Sequence, residues 1–369
     1  MIYELSKIMK QVRGVSYSKS VASLKKEEGL IPVLRAGNIQ NSRIIHDDFV
    51  YIPTNGVKSV QLLKQGDVLI AASSGSLSIV GKAAMILHDM NAGFGAFCKV
   101  LRPNKEIVNE NYFKFYFETP HYKNTISQLA EGANINNLKT EHFDNLEIYL
   151  PPIETQQKIA AILDAADTLR QKDKALVAKY DELTQALFLD MFGDVITNNK
   201  NWESKKFEEI ISLKRGYDLP NNDRKKGDIP VVASTGIVGY HNEVKVKGGC
   251  IVTGRSGSIG KVQLITVDCW PLNTSLYGYK TFNNNLVYLK YFVSYFRIER
   301  FSHGAGVPTL DRKLVHKELA PLPPIELQHL FAERINAIEQ QKSLAQASLE
   351  KSEELFNSLL QKAFKGELR

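Results

Sequence analysis

The sequence predicts an α+β fold: two mixed, strand-rich heads joined by two long antiparallel coiled-coil helices, with a pseudo-two-fold internal repeat. Three observations carry that expectation. Residues 132–192 match residues 304–364 at a constant offset of 172, without a gap. Within each match lies a stretch of about 40 residues, free of proline and glycine, with apolar side chains at alternating steps of three and four. Ahead of each helical stretch stand short β-rich runs punctuated by Gly, Asn, Ser and Pro. A faithful helical frame carrying two diverged heads implies a molecule that holds two different readers at a set separation.

Residues 1–150 form the first head. Gly66-Asp67-Val68-Leu69-Ile70 is one of its strand signals. The candidate contact loops are rich in Gly, Ser, Asn, Arg and Lys. One holds Arg35 and Asn38, and a second holds Ser74 and Ser76 with Lys82 beyond. A third holds Asn134, Asn136, Asn137 and Lys139. Such loops suit DNA, because backbone N–H groups and hydroxyls hold phosphates while Arg, Asn and His reach base edges. Ordinary turns have a similar composition.

Residues 151–193 form the first helix. Pro151-Pro152 end an extended stretch and open the helix, where proline is tolerated, and Gly193 is a C-cap behind Ile153 to Phe192. The expected seam is Ile159, Ile162, Ala166, Leu169, Asp173, Leu176, Tyr180, Leu183 and Leu187, with only Asp173 polar.

Residues 194–322 form the second head, which matches the first in patches. Lys214-Arg215-Gly216 resembles Val12-Arg13-Gly14, and Ile229-Pro230-Val231-Val232 resembles Ile31-Pro32-Val33-Leu34. Ser256-Gly257-Ser258 resembles Ser74-Gly75-Ser76, and Tyr288-Leu289-Lys290-Tyr291-Phe292 resembles the aromatic run from Tyr112. Its candidate DNA contacts are Arg215, then Thr235 and His241, then Arg255, Ser256 and Ser258 with Lys261, then Arg312 and Lys313. Residues 323–369 repeat the helix from Ile325 to Lys365, with Gly366 behind it. Its seam is Phe331, Ile335, Ile338, Lys342, Ala345, Leu349, Ser352, Phe356, Leu359 and Ala363.

Geometry sets the orientation. Forty helical residues span roughly 60 Å. A head of this size is a compact body about 35 Å across. The second head leaves one helix and enters the other, so parallel helices would oblige it to bridge the full helix length. Antiparallel helices bring its two ends together and give a dumbbell, a two-helix rod with a head at each end.

The net charge of +7 lies on the heads. Residues 1–150 carry +3 and residues 194–322 carry +7, while residues 151–193 carry −2 and residues 323–369 carry −1. A polyanion would meet the heads, and the helices would meet something else. No apolar run approaches the roughly 20 residues a membrane span needs, and the start lacks the apolar core of a secretion signal. Cys98, Cys250 and Cys269 form no CxxC pair and read as small buried residues in a reducing cytoplasm.

Catalytic and metal signatures are weak. Gly254 to Lys261 looks like a phosphate-binding loop, but five residues separate Gly254 from Gly260 and Val262 stands where Ser or Thr should ligate magnesium. The eight histidines form no HxxxH or HExxH pair. No catalytic residue and no metal ligand is assigned.

Two variable heads, each followed by Leu-Pro-Pro-Ile-Glu-x-Gln at residues 150–156 and 322–328, resemble the specificity subunits of type I restriction–modification systems. Arg35-Ala36-Gly37-Asn38-Ile39, Thr253 to Gly260 and Trp270-Pro271-Leu272-Asn273-Thr274 are similar to recurrent pieces of their target recognition domains. The resemblance implies that each head reads one half of a bipartite, asymmetric site in double-stranded DNA. The helices would set a gap of roughly 10–16 base pairs, centre to centre. It further implies two methyltransferase subunits docked on the helices, with S-adenosylmethionine, and restriction subunits with ATP and Mg. No cofactor is expected on this chain, and no membrane. Leu163, Val177, Phe188, Leu330 and Leu344 are candidates for that docking surface or for a wide intramolecular seam. One departure from the family is that almost nothing precedes the first head, so N-terminal elements of some members are expected to be missing. Two other readings remain: the specificity subunit of a related methylating restriction enzyme outside type I, and a coiled-coil adaptor that binds no DNA.

Overall fold

The computed structural model describes residues 1–130, 136–304 and 308–368. The chain divides into two compact units, one of Met1–Asp173 with Ser348–Arg369 and the other of Lys174–Ala347. Each unit holds one head and one segment of each long helix. Among the described residues no helix is long and apolar enough to cross a membrane.

The two heads repeat one topology. The first has a four-stranded antiparallel sheet ordered Met9–Arg13, Cys98–Pro103, Val68–Ala71, Ala83–Met85. The second has the same order in Ser212–Arg215, Ser275–Lys280, Cys250–Gly254, Val262–Ile265. A three-stranded sheet accompanies each. Leu30–Leu34 lies between Gly93–Phe94, parallel to it, and Val50–Pro53, antiparallel. Ile229–Ala233 lies between Trp270–Pro271, parallel, and Gly236–His241, antiparallel. A two-stranded pair then joins the start of each head to its end: Ile2–Glu4 with Glu147–Tyr149, and Ser204–Lys206 with Leu319–Pro321. Val68–Ala71 and Cys250–Gly254 are buried along their whole length, so both faces of these central strands are covered, whereas Leu30–Leu34 and Val50–Pro53 come closer to alternation.

Glycines appear where the repeat needs close approach. A Cβ on Gly14 would stand 2.1 Å from the Gly95 carbonyl oxygen, and one on Gly216 would stand 2.3 Å from that of Leu272. Only glycine admits that crossing of backbones. The matched Arg-Gly pairs of the sequence are therefore the same joint in both heads.

The long helices run Ile153–Phe192 and Ile325–Lys365, residue for residue as the prolines and glycines predict. Gly193 and Gly366 close them with φ of 75° and 78°, the left-handed turn that glycine adopts without penalty. Within each unit the two helix segments are antiparallel. In the first, the Arg170 guanidinium lies 3.7 Å from the Phe356 ring centroid, and Ser348 Oγ donates to Asp173 Oδ2 at 3.4 Å. In the second, Lys342 pairs with Asp181, while Phe188 and Phe192 meet Phe331 at 5.5 and 5.1 Å.

The seam of the second helix is as expected at Phe331, Ile335, Ala345, Leu349, Ser352, Phe356 and Ala363, which are buried; Ile338, Lys342 and Leu359 are only half-buried, and Leu360 is buried beside Leu359. The first helix corrects the expectation at alternate positions. Ile159, Ala166 and Asp173 are buried, but Ile162, Leu169, Leu176 and Leu183 are 38–49% exposed. Leu163, Arg170, Val177 and Thr184, each one residue later, turn inward instead. Both rows keep the same period, so spacing alone could not choose between them. Leu163 and Phe188 thus belong to the cores and are not docking residues, whereas Leu330 and Leu344 are exposed.

The repeated glutamine has a structural task. Gln156 is buried at the helix start, where its Nε2 donates to the Pro151 and Ile107 carbonyls at 2.8 and 3.0 Å. Its Oε1 accepts from the Asn109 backbone N–H at 2.8 Å. Gln328 repeats this, donating to the Pro323 carbonyl and Asn284 Oδ1 and accepting from the Asn285 N–H at 3.0 Å. Asn109 and Asn285 in turn cap the aromatic helices Glu110–Tyr116 and Leu286–Tyr295. One side chain thereby welds the long helix to its head and satisfies termini that would otherwise be buried unpaired.

Candidate nucleic-acid interface

The contact loops of the two heads hang on one hydrogen-bond frame. In the first head the Ala72 and Ser73 N–H groups donate to the Phe97 carbonyl at 2.9 and 3.0 Å, and Leu138 N–H donates to the Ala72 carbonyl at 2.8 Å. In the second, Arg255 and Ser256 donate to the Thr274 carbonyl at 2.9 and 3.3 Å, and Leu310 donates to the Arg255 carbonyl at 2.8 Å. Ala72 therefore stands where Arg255 stands, Ser73 where Ser256 stands, and Phe97 where Thr274 stands. The Ser-Gly-Ser match read from sequence slips by one residue, because local composition does not see the ladder that sets register.

The first head gathers its loops around a cavity of about 1180 Å³ lined by Arg35, Ser73, Ser74, Tyr17, Leu24 and Phe97, among others. Arg35 donates through Nη2 to the Asp48 carboxylate at 2.9 Å and carbonyl at 2.8 Å, which fixes its guanidinium at the rim. Asn38 is only 3% exposed. Its Oδ1 accepts from Arg35 N–H at 2.8 Å and its Nδ2 donates to the Ile45 and Asp47 carbonyls, so it holds the loop and is not free to read a base. Asn136 and Asn137 pair in a short ladder with Ser74 and Ser73. Asn137 and Lys139 are exposed, with Lys139 beside Glu141 at 3.3 Å. Ser76 Oγ shares a hydrogen bond with Ser78 at 2.9 Å, and Lys82 is exposed. Asn134 lies outside the described residues.

The second head uses a shorter design. Where the first head inserts residues 35–49 between two strands, Ser234 and Thr235 make a tight turn from Ala233 to Gly236. Lys261 Nζ donates to the Thr235 carbonyl at 3.3 Å. Arg255 Nη1 donates to the Asn273 carbonyl at 3.3 Å, and Asn273 Nδ2 donates to Asp218, which lies 4.0 Å from Arg215. Arg215 and Arg255 are thus linked through Asp218 and Asn273, Lys261 is tied separately to Thr235, and Ser256 and Ser258 stand half-buried in the same loop as Arg255. His241 corrects the sequence expectation. It is 3% exposed, accepts from Lys225 N–H at Nδ1 and packs edge-on against Trp270 at 4.9 Å. Arg312 is also occupied, donating to the Leu213 carbonyl at 2.9 Å, whereas Lys313 is exposed.

Gly254–Lys261 is the turn of an antiparallel hairpin between Cys250–Gly254 and Val262–Ile265, with no helix behind it. A phosphate-binding loop needs that helix N-terminus. All three cysteines are free and buried, and burial pushes the Cys98 thiol up to about 12. Sequence reasoning missed Phe97, Leu24, Asp48 and Asp218. An exposed aromatic and a counter-ion carry no periodic signal.

A family model for the type I restriction modification DNA specificity domain matches residues 1–178 and 199–353. The chain belongs to that family. It is 38% identical over 187 residues to the type I restriction enzyme EcoKI specificity subunit of Escherichia coli (strain K12), covering 51% of this chain and 39% of that subunit. The match thus spans well under half of the curated subunit. Over the whole chain it is 22% identical to the putative type I restriction enzyme MjaX specificity subunit of Methanocaldococcus jannaschii, 93% of which is covered. The fold is shared with the type I restriction–modification S subunit from M. genitalium, with a TM-score of 0.62, 16% identity and coverage of 99% and 96%. A second solved chain, from work on assembly of the type I system, superposes with a TM-score of 0.57 at 16% identity. The two matched segments each take in one head and the first part of the long helix behind it.

Proposed function

We propose that this chain is the DNA-specificity subunit of a type I restriction–modification complex and is itself non-catalytic. The observation that carries the reading is one backbone frame bearing different side chains in the two heads: a buried Ala72 with Ser73 and an exposed Phe97 in one, Arg255, Ser256 and Thr274 at the same places in the other. A conserved frame with divergent readers suits a bipartite site whose halves differ. Residues 1–150 and 194–322 are the two target recognition domains, and residues 151–193 and 323–369 the spacers between them. Arg35, Ser74, Asn137 and Lys139 in the first, with Arg215, Arg255, Ser256 and Lys261 in the second, meet phosphates and base edges.

The partners are two methyltransferase subunits, which bring S-adenosylmethionine, and restriction subunits, which bring ATP and Mg; the complex works in the cytoplasm. The exposed helix residues support docking: Ile162, Leu169 and Leu355 in the first unit, and Leu176, Leu183, Leu330 and Leu344 in the second. Large exposed apolar rows mark contact surfaces.

The test is adenine methylation mapping by single-molecule sequencing in a host without other methyltransferases. This chain is expressed with its neighbouring methyltransferase gene, and that gene alone is the control. A new bipartite, asymmetric motif that requires this chain is the expected result. A stable complex with no new methylation would overturn the reading and favour a DNA-free adaptor.

A further inference from the structure

The geometry points to Phe97 as a wedge that enters the base stack of the half-site met by the first head, with no counterpart in the second head. This rests on the DNA-reading role proposed above and deepens it.

Phe97 is 71% exposed, although the same short segment buries Phe94 completely. Its exposure is built in. The Gly93–Phe94 strand anchors one side through the core, Gly95 N–H donates to the Leu34 carbonyl at 2.9 Å, and the Phe97 carbonyl takes two hydrogen bonds from Ala72 and Ser73. The backbone is held on both sides while the ring is left in solvent. Leu24, 77% exposed, lines the same cavity of about 1180 Å³.

The surroundings are those of a DNA contact. Arg35, Ser73 and Ser74 stand around the cavity with the two apolar side chains. Lys19, Lys25 and Lys26, on the segment that also carries Leu24, are exposed and make no ion pair among the described residues. Unpaired ammonium groups serve a phosphate backbone, and a rigid exposed Phe or Leu beside them serves an unstacked base step. Arg35 at the rim is paired with Asp48, so the excess charge around Phe97 comes from the unpaired lysines and is positive. In the second head the equivalent residue is Thr274, also exposed and on the same pair of hydrogen bonds, with no ring to insert. One half-site is therefore distorted and the other is read without a wedge.

The experiment uses the assembled complex of this chain with its methyltransferase and a duplex carrying the mapped motif. 2-Aminopurine is placed in turn at each position of both half-sites. Beyond the target adenines, which the methyltransferase itself flips from the stack in both half-sites, fluorescence with the native chain should rise several-fold at one step in the half-site of the first head and at no further position in the other. Phe97→Thr should abolish that rise and weaken binding roughly tenfold, the order expected for one lost stacking contact. Phe97→Trp should keep both, and Thr274→Phe should create a bright step in the second half-site.

A bound native complex with no bright step beyond the target adenines, or an identical profile in Phe97→Thr, overturns the wedge and leaves the specificity role standing. Failure of the native complex to bind the mapped duplex overturns both. Failure of Phe97→Thr to assemble with the methyltransferase, on sedimentation, would place the ring in a protein contact and overturn the wedge.

Discussion

Replacing Gln156 with alanine tests how each head is joined to its helix. The substitution removes two donated hydrogen bonds, to Pro151 and Ile107, and the acceptor for Asn109 N–H. A typical bond contributes about 1 kcal/mol net, and a buried donor left unpaired costs about 1–3 kcal/mol more. Three such bonds and one unpaired buried N–H give a loss of about 4–6 kcal/mol. For a unit of this size about 1 kcal/mol moves Tm by about 2–4 °C, so its transition should fall by about 10 °C. Hydrogen exchange read by mass spectrometry locates the damage. Protection should drop across Glu110–Tyr116 and the first turns of Ile153–Phe192, while Lys174–Ala347 keeps its exchange pattern. Gln328→Ala should produce the mirror result at Leu286–Tyr295. A Tm change below about 2 °C, or loss spread evenly over both units, would refute the clamp.

Three further outcomes are expected. Leu163→Ala should destabilise by about 2–5 kcal/mol while Ile162→Ala stays within about 1 kcal/mol, since one is fully buried and its neighbour is not; parallel thermal melts check this. His316 has its pKa lowered by burial, opposed by Glu208 and aided by Arg312, and its Nε2 accepts from Leu213 N–H at 3.0 Å. The folded state thus prefers the neutral ring, so its stability is complete above the unfolded pKa of 6.5 and falls as pH drops toward the lower folded value. The native chain should lose more stability than His316→Gln in that window, and equal loss would sink the assignment. Asp67→Ala should destabilise the first head by about 3–5 kcal/mol, because a buried carboxylate receives both the Nε and Nη2 of Arg102 at 2.7 Å; denaturant titration measures it.

The sequence by itself determined the repeat, the ends of both helices and the class of fold. These are local or periodic properties: Pro151-Pro152 and Gly193 act on their own backbones, and an apolar period survives in any environment. The duplicated Leu-Pro-Pro-Ile-Glu-x-Gln was visible too, but not the partners of its glutamine, since Asn109 lies 47 residues away. Tertiary structure alone chose Leu163 over Ile162 for the seam, because both rows have the same spacing and only the facing helix tells them apart. It also separated Arg35, at a cavity rim, from Asn38 and His241, which look like readers in sequence and are spent inside their loops. And it set Phe97 opposite Ala72 and Ser73, and Thr274 opposite Arg255 and Ser256. Register in a sheet is a property of two strands at once, and no single stretch of sequence contains it.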